Sequence, residues 1–144
     1  MTFEIGSILF VKDYQLPTKI KNKFFIVIGI SDGDILLLSM TTSQLYFDES
    51  LIKHGVIIDR DMSVYCFEQN RMIGRNGFAF RKNTFISHRA NIHAFNSEKL
   101  DSLNIEYIDC LIKEEIIELI YSFYKRTPPK YTTIFERILS MLSE

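Results

Sequence analysis

The chain has 144 residues, 47% of them hydrophobic, with only six glycines and three prolines and a formal net charge of −1. This length and composition predict one globular domain, residues 1–144, with a substantial hydrophobic core, and they exclude a disordered chain. Twelve Phe and seven Tyr favour strands.

The sequence lacks the usual marks of membrane insertion or secretion. No apolar run approaches the roughly 18 residues of a membrane-spanning helix, and the first residues lack the basic and apolar regions of a secretory signal. We therefore expect a cytoplasmic protein without a membrane partner. Cys66 and Cys110 have no CxxC spacing and no nearby histidine cluster, which favours buried free thiols over a disulfide or zinc site. No metal and no cofactor is expected.

Charge is distributed unevenly along the chain. Residues 1–30 and 68–99 carry net charges of +2 and +4, whereas residues 31–67 and 100–144 carry −4 and −3. A fold that brought the two basic segments together would create a positive face suited to a polyanion. Ordinary solvated charge is the alternative explanation.

The first two-thirds of the chain, residues 1–100, is predicted to be a strand-rich core. Residues 7–12, 24–30 and 35–40 are apolar runs that predict strands, and the second is continuous enough to be buried on both faces. Residues 13–23 predict a loop, and Ser-Asp-Gly-Asp at residues 31–34 predicts a tight turn. Further short strands are predicted at residues 56–58, 63–67 and 90–95, and residues 78–80 and 84–86 predict either one strand or two short ones.

Helical periodicity begins at Ile105. From there, apolar residues recur at helical spacing until Thr-Pro-Pro at residues 127–129, which predicts a helix that ends at Thr127. A second helix is predicted over residues 132–142. With two helices in residues 105–143, the sequence predicts an α+β fold, mainly β, whose barrel-like core is closed by C-terminal helices.

Polar and basic residues follow several of these strands. Thr42 and Ser43 come after the third strand, and they either deliver a site or simply end the strand. His88 and Arg89 combine a titratable group with a fixed cation. Lysines at positions 19, 21 and 23 either grip phosphate or only solubilise the loop. The basic segment with Arg71, Arg75, Arg81 and Lys82 beside Phe78 and Phe80 either binds a nucleic-acid strand by charge and stacking or is a loop over buried phenylalanines.

The order of these elements resembles the PemK/MazF family of toxin endoribonucleases over roughly residues 5–125. That family shows an opening Gly-Asp-Ile, a loop, Arg-Pro before an apolar strand, and a strand that closes on Thr-Ser. The matching residues here are Gly6-Ser7-Ile8, Lys23-Phe24, residues 25–28 and Thr42-Ser43. The later part is also similar, through Ile86-Ser87-His88-Arg89, Lys99-Leu100 and the Glu-Glu-Ile run within residues 111–116.

This resemblance implies an SH3-like small β-barrel and a metal-independent endoribonuclease that cleaves single-stranded RNA through the 2′-hydroxyl. It also implies a homodimer that is neutralised by a cognate antitoxin. In this interpretation Lys23 and Arg89 stabilise charge, Thr42 and Ser43 position the phosphate, and His88 titrates near neutral pH. We expect Lys23, Thr42, Ser43 and Arg89 to converge at the barrel mouth. RNA binding is assigned to Lys19, Lys21, Arg71, Arg75, Arg81 and Lys82.

The chain departs from the family pattern in three places. Lys23-Phe24 replaces Arg-Pro, Ser87 or His88 stands where members often have an acidic residue, and the helix at residues 132–142 is an addition. Lysine keeps the charge of arginine but loses its planar, two-pronged geometry. A non-catalytic binding module on the same scaffold, recognising protein or nucleic acid, is therefore the alternative, and a purely structural or assembly subunit is a third.

Overall fold

The computed structural model describes residues 3–31, 35–43, 47–89, 92–127 and 129–143. Most of the turn predicted at residues 31–34, the first two residues of the strand predicted at 90–95, and Pro128 lie outside this described part. The described strands are β1 (Ser7–Gln15), β2 (Ile20–Ser31), β3 (Ile35–Met40), β4 (Gly55–Asp59), β5 (Met62–Phe67), β6 (Thr84–Ser87), β7 (Ile92–Phe95) and β8 (Asn104–Cys110). The α-helices are α1 (Ser97–Asp101), α2 (Lys113–Arg126) and α3 (Thr132–Leu142). This confirms an α+β fold, mainly strands, with C-terminal helices.

The strands form two antiparallel sheets. One has five strands in the order β7-β3-β2-β1-β8, and the other has three in the order β4-β5-β6. In the described part of the chain, a β-bridge between Thr42 and Phe85 joins the end of β3 to β6. Over the described residues the sheets are not closed into a barrel, so the barrel prediction is wrong. Helix α2 contacts β4 and β5, and α3 contacts β2, so these helices and the two sheets together enclose the main core.

Both faces of β2 are buried, as its continuous apolar sequence predicts. Ile26 and Ile28 enter the main core, which lies between the sheets and the helices α2 and α3. Phe25 and Val27 enter a second core on the opposite face, together with Leu100 of α1. The alternation follows from the two-residue period of a strand.

Helix α3 is part of the wall of the main core. Phe135 and Ile138 are buried in that core, and the helix crosses β2 beside Gly29. A Cβ atom at Gly29 would lie 3.2 Å from Cγ2 of Ile134, so the missing side chain lets the helix approach the sheet closely. The predicted helix at residues 132–142 is confirmed at both ends.

Three segment predictions are wrong. Most of residues 13–23 form strand, because β1 and β2 continue as a hairpin beyond a bulge in β1, with Tyr14 opposite Lys21. Residues 105–110 form the edge strand β8 and not a helix, because they pair with the free edge of β1. The spacing from Ile108 to Ile112 imitates helical periodicity, whereas α2 begins at Lys113. Residues 78–80 also lie outside the described strands, in a loop that follows β5.

Candidate nucleic-acid interface

A cleft of about 800 Å³ opens between the β1–β2 hairpin and the loop that follows β5. One side carries Lys19, Lys21 and Lys23, here called the lysine row, and the other carries Arg81 and Lys82. Thr41, Thr42 and Ser43 line it as well. Among the described residues that line this cationic cleft, five are Lys or Arg and none is acidic or a histidine.

The hairpin that was not predicted is what orders the lysine row. Alternate residues of a strand share a face and lie about 6–7 Å apart, so Lys21 and Lys23 lie on one face at the start of β2 and Lys19 just precedes them. The Asp13 amide donates to Oδ1 of Asn22 at 3.0 Å and holds the two arms together at the bulge. Burial, together with the positive charges of Lys21 and Lys19, lowers the pKa of Lys23. A negative ligand would relieve this repulsion.

Four phenylalanines form an aromatic wall in the same cleft: Phe10, Phe24, Phe78 and Phe80. The Phe24 ring is central, with ring centroids 4.9 Å from Phe10, 5.3 Å from Phe80 and 5.9 Å from Phe78. Phe24 and Phe78 are only half-buried. The wall therefore offers ring surface to a ligand while its rings hold one another in place.

The polar end of the cleft lies directly after the end of β3. Thr41 donates its amide and its hydroxyl to the Phe24 carbonyl, at 3.0 and 3.2 Å. The backbone of Thr42 exchanges two hydrogen bonds with Phe85, at 3.0 and 2.8 Å. These bonds place half-buried Thr42 and exposed Ser43 beside the lysine row.

His88 does not reach the cleft, and its assignment as a group that titrates near neutral pH is corrected. Its side chain is 0% exposed, and its ring lies 5.1 Å from that of Phe123. The Ser122 hydroxyl donates to the Leu119 carbonyl and so accepts from Nε2 of His88 at 2.9 Å, while Nδ1 lies 2.8 Å from the Ser63 hydroxyl. This is the bonding of a neutral imidazole. Burial, and then the charge of Arg126, lowers the pKa of His88 to about 4.

Acid should therefore destabilise the fold through His88. The folded pKa of about 4 lies below the unfolded pKa of about 6.5. The contribution of neutral His88 to stability is therefore complete above the unfolded pKa and is lost as the pH falls towards 4. The loss amounts to about 3 kcal/mol. We expect wild type to lose about that much more unfolding free energy than His88→Gln over this range, measured by urea denaturation. Equal losses in the two proteins would contradict this account.

The other predicted cations divide between the cleft and the rest of the surface. Lys19, Lys21, Arg81 and Lys82 line the cleft, but Arg71, Arg75 and Arg89 do not. Arg75 bonds Glu4 at 2.7 Å. Arg89 is exposed beyond the end of β6. Of the four residues expected to converge, Lys23, Thr42 and Ser43 line the cleft, and Arg89 does not.

Sequence reasoning missed two parts of the site. It did not place Phe10 and Phe24 in the aromatic wall, although Phe24, where the family has proline, was a visible signal. It also missed Asp109, whose buried carboxylate holds the loop that carries Phe78. A single acidic residue between Ile108 and Cys110 was the one hint.

Comparison with known proteins adds no relative. No protein-family model, no curated protein and no solved structure matches the chain. Within the described residues, no group of three or more His, Cys, Asp or Glu is placed to hold a metal ion, and no described helix has the length and apolar character needed to cross a bilayer.

Proposed function

We propose that the protein binds single-stranded RNA in the cationic cleft. The observation that carries this proposal is the meeting of five cations and four phenylalanines around one cleft that has no acidic residue among its described lining. Cationic side chains neutralise backbone phosphates, and unpaired bases stack on aromatic rings. Paired bases in a duplex hide their faces from such a wall, so the cleft favours single strands.

Hydroxyl and amide groups in the cleft favour RNA as the ligand. Thr42, Ser43 and Asn22 line it, and their side chains match the donor and acceptor character of the ribose 2′-hydroxyl. The resemblance of the strand order to PemK/MazF toxins favours the same ligand. It also leads us to propose a second copy of the chain and an antitoxin protein as partners, in the cytoplasm.

Binding is tested with a fluorescein-labelled RNA hexamer, followed by fluorescence anisotropy as salt is raised. We expect saturable binding. The logarithm of the association constant should fall linearly with the logarithm of the salt concentration, with a slope of about −0.7 for each phosphate neutralised. The hexamer annealed to its complement should bind more weakly. Absence of saturable binding at low salt, or a preference for the duplex, would reject the proposal.

Cleavage of the bound RNA is a second candidate function, favoured by the position of half-buried Lys23 in the same cleft as Thr42 and Ser43, where burial lowers its pKa. A neutral lysine amine can accept the 2′-hydroxyl proton while that oxygen attacks the adjacent phosphorus. The bond between phosphorus and the 5′-oxygen then breaks, the departing oxygen takes a proton from water, and the products are a 2′,3′-cyclic phosphate and a 5′-hydroxyl end. Lys23 is the group that we assign to this proton transfer, and the other cations stabilise the phosphorane.

A denaturing gel separates the two candidates. If the protein cleaves, a chelator should leave the cut unaffected, and one 2′-deoxy nucleotide at the cut position should abolish it. Lys23→Arg should then keep binding and lose cleavage, because arginine stays protonated. An intact RNA after saturating incubation would leave the non-catalytic binding module as the function. RNA affinity that falls steeply with salt would argue against the purely structural or assembly subunit.

A further inference from the structure

Asp109 is a buried carboxylate on the edge strand β8, and its side chain is part of no motif in the sequence. It is 1% exposed. In the pairing with β1, Ile8 faces Asp109 and Leu9 faces Tyr107, so Ile108 is an extra, bulged residue. A bulge shifts the alternation of side chains, and Asp109 and Cys110 are consequently both buried.

The carboxylate is satisfied by N–H donors from the loop that follows β5. The Asn76 amide donates to its two oxygens at 3.2 and 3.1 Å, and the Phe78 amide donates to Oδ2 at 3.1 Å. The Asn76 side chain adds a bond of 3.2 Å, and the Cys110 amide one of 2.7 Å. A carboxylate has two acceptor oxygens and about four lone-pair sites, so one side chain gathers all these donors.

Backbone contacts next to Asp109 also join the end of β8 to this loop. Gly74 pairs with Leu111 in an isolated bridge, and the Arg75 amide donates to the Cys110 carbonyl at 2.8 Å. A Cβ atom at Gly74 would collide with the Asp109 carboxylate. The loop therefore packs closely around the Asp109 carboxylate.

The same loop carries half of the aromatic wall. The Phe78 ring follows directly from the amide that Asp109 holds, and it lies 4.9 Å from Phe80 and 5.9 Å from Phe24. Phe80 is held against Phe24 at 5.3 Å. A shift of the Phe78 amide would therefore change the ring surface that faces the cleft while leaving the lysine row, on the hairpin, in place.

We infer that Asp109 is a positioning residue for base recognition: from the far strand it fixes the ring of Phe78 on which an unpaired base of the RNA stacks. This inference rests on the proposed RNA binding. It divides the cleft into the lysine row on the hairpin, which Asp109 does not hold, and the aromatic surface at Phe78, which it does.

Two ligands of equal charge test this division: the labelled RNA hexamer and a hexamer of abasic ribose phosphates. Wild type should bind the base-containing strand about tenfold or more tightly, since each stacked base contributes at least that order of affinity. Asp109→Asn keeps the shape but removes an acceptor oxygen, so this ratio should fall towards one. Affinity for the abasic strand and the salt slope should stay at the wild-type values.

Glu106→Gln is the matched control, since it removes the same charge from an exposed position on the same strand, and it should leave the ratio unchanged. Combining Asp109→Asn with Phe78→Ala should give no greater loss than Phe78→Ala alone, because the two act through one ring. If Asp109→Asn does not fold, Asn76→Ala removes only a side-chain donor and should lower the ratio by a smaller factor.

The possible failures are distinguishable. A folded Asp109→Asn protein with an unchanged ratio, or with equal losses for both ligands, overturns the inference and leaves the proposed function standing. A wild-type ratio of one overturns it as well, with charge-driven binding retained. Wild type that binds neither strand rejects the proposed function, and the inference falls with it.

Discussion

Phe135→Ala is expected to lower the free energy of unfolding by about 3–5 kcal/mol, the range for a large buried aromatic side chain. Phe135 is 0% exposed, and its ring lies 5.7 Å from that of Phe123 in α2. Its removal leaves a cavity in the main core, where Phe135 packs beside α2. Urea denaturation followed by circular dichroism measures the effect.

Met141→Ala is the control for that experiment. Met141 lies on the same helix but is 62% exposed, so its substitution should change the unfolding free energy by no more than about 0.5 kcal/mol. A loss of less than about 1 kcal/mol for Phe135→Ala would contradict the description of α3 as a wall of the main core.

The second large effect is on RNA affinity. Replacing the lysine row by alanine should weaken binding of the RNA hexamer about a hundredfold at moderate salt, because three phosphate contacts of about 1 kcal/mol each are lost. The salt slope should flatten by about 2, from three contacts at about 0.7 each. Anisotropy titrations over a range of salt concentrations give both quantities.

A matched triple variant controls for net charge. Lys53, Lys113 and Lys130 are exposed and do not line the cleft, and their replacement by alanine removes the same three charges. Affinity and slope should then stay close to wild type. Equal losses in the two triple variants would show that bulk charge, and not the lysine row, attracts the RNA.

Local sequence patterns predicted the elements whose residues are buried. The continuous run in β2 and the amphipathic pattern of α3 are of this kind, since burial imposes the apolar spacing that marks each element. The exposed ends of the β1–β2 hairpin have no such pattern because backbone pairing alone forms them. Strand β8 was mistaken for helix because its pairing with β1 spans about a hundred residues of sequence and overrides the local spacing.

The site residues, too, divide into those that local sequence patterns predicted and those that they did not. Thr42 and Ser43 were identifiable because they end a well-marked strand, and the lysines because they precede one. Sequence adjacency misplaced His88, since a residue at a strand end can point into the core as readily as outward. The contacts of Asp109 could not be predicted, because they depend on a bulge and on a loop more than thirty positions away.

Photo-crosslinking of RNA that contains 4-thiouridine, followed by mass spectrometry of the protein, tests the central claim most directly. The account predicts that the crosslinks fall within the cationic cleft, on Phe24, Phe78 and their neighbours in the lysine row, and that unlabelled RNA hexamer competes them away. Crosslinks that map instead to the exposed faces of α2 and α3, with the cleft unmodified at saturating RNA, would contradict it.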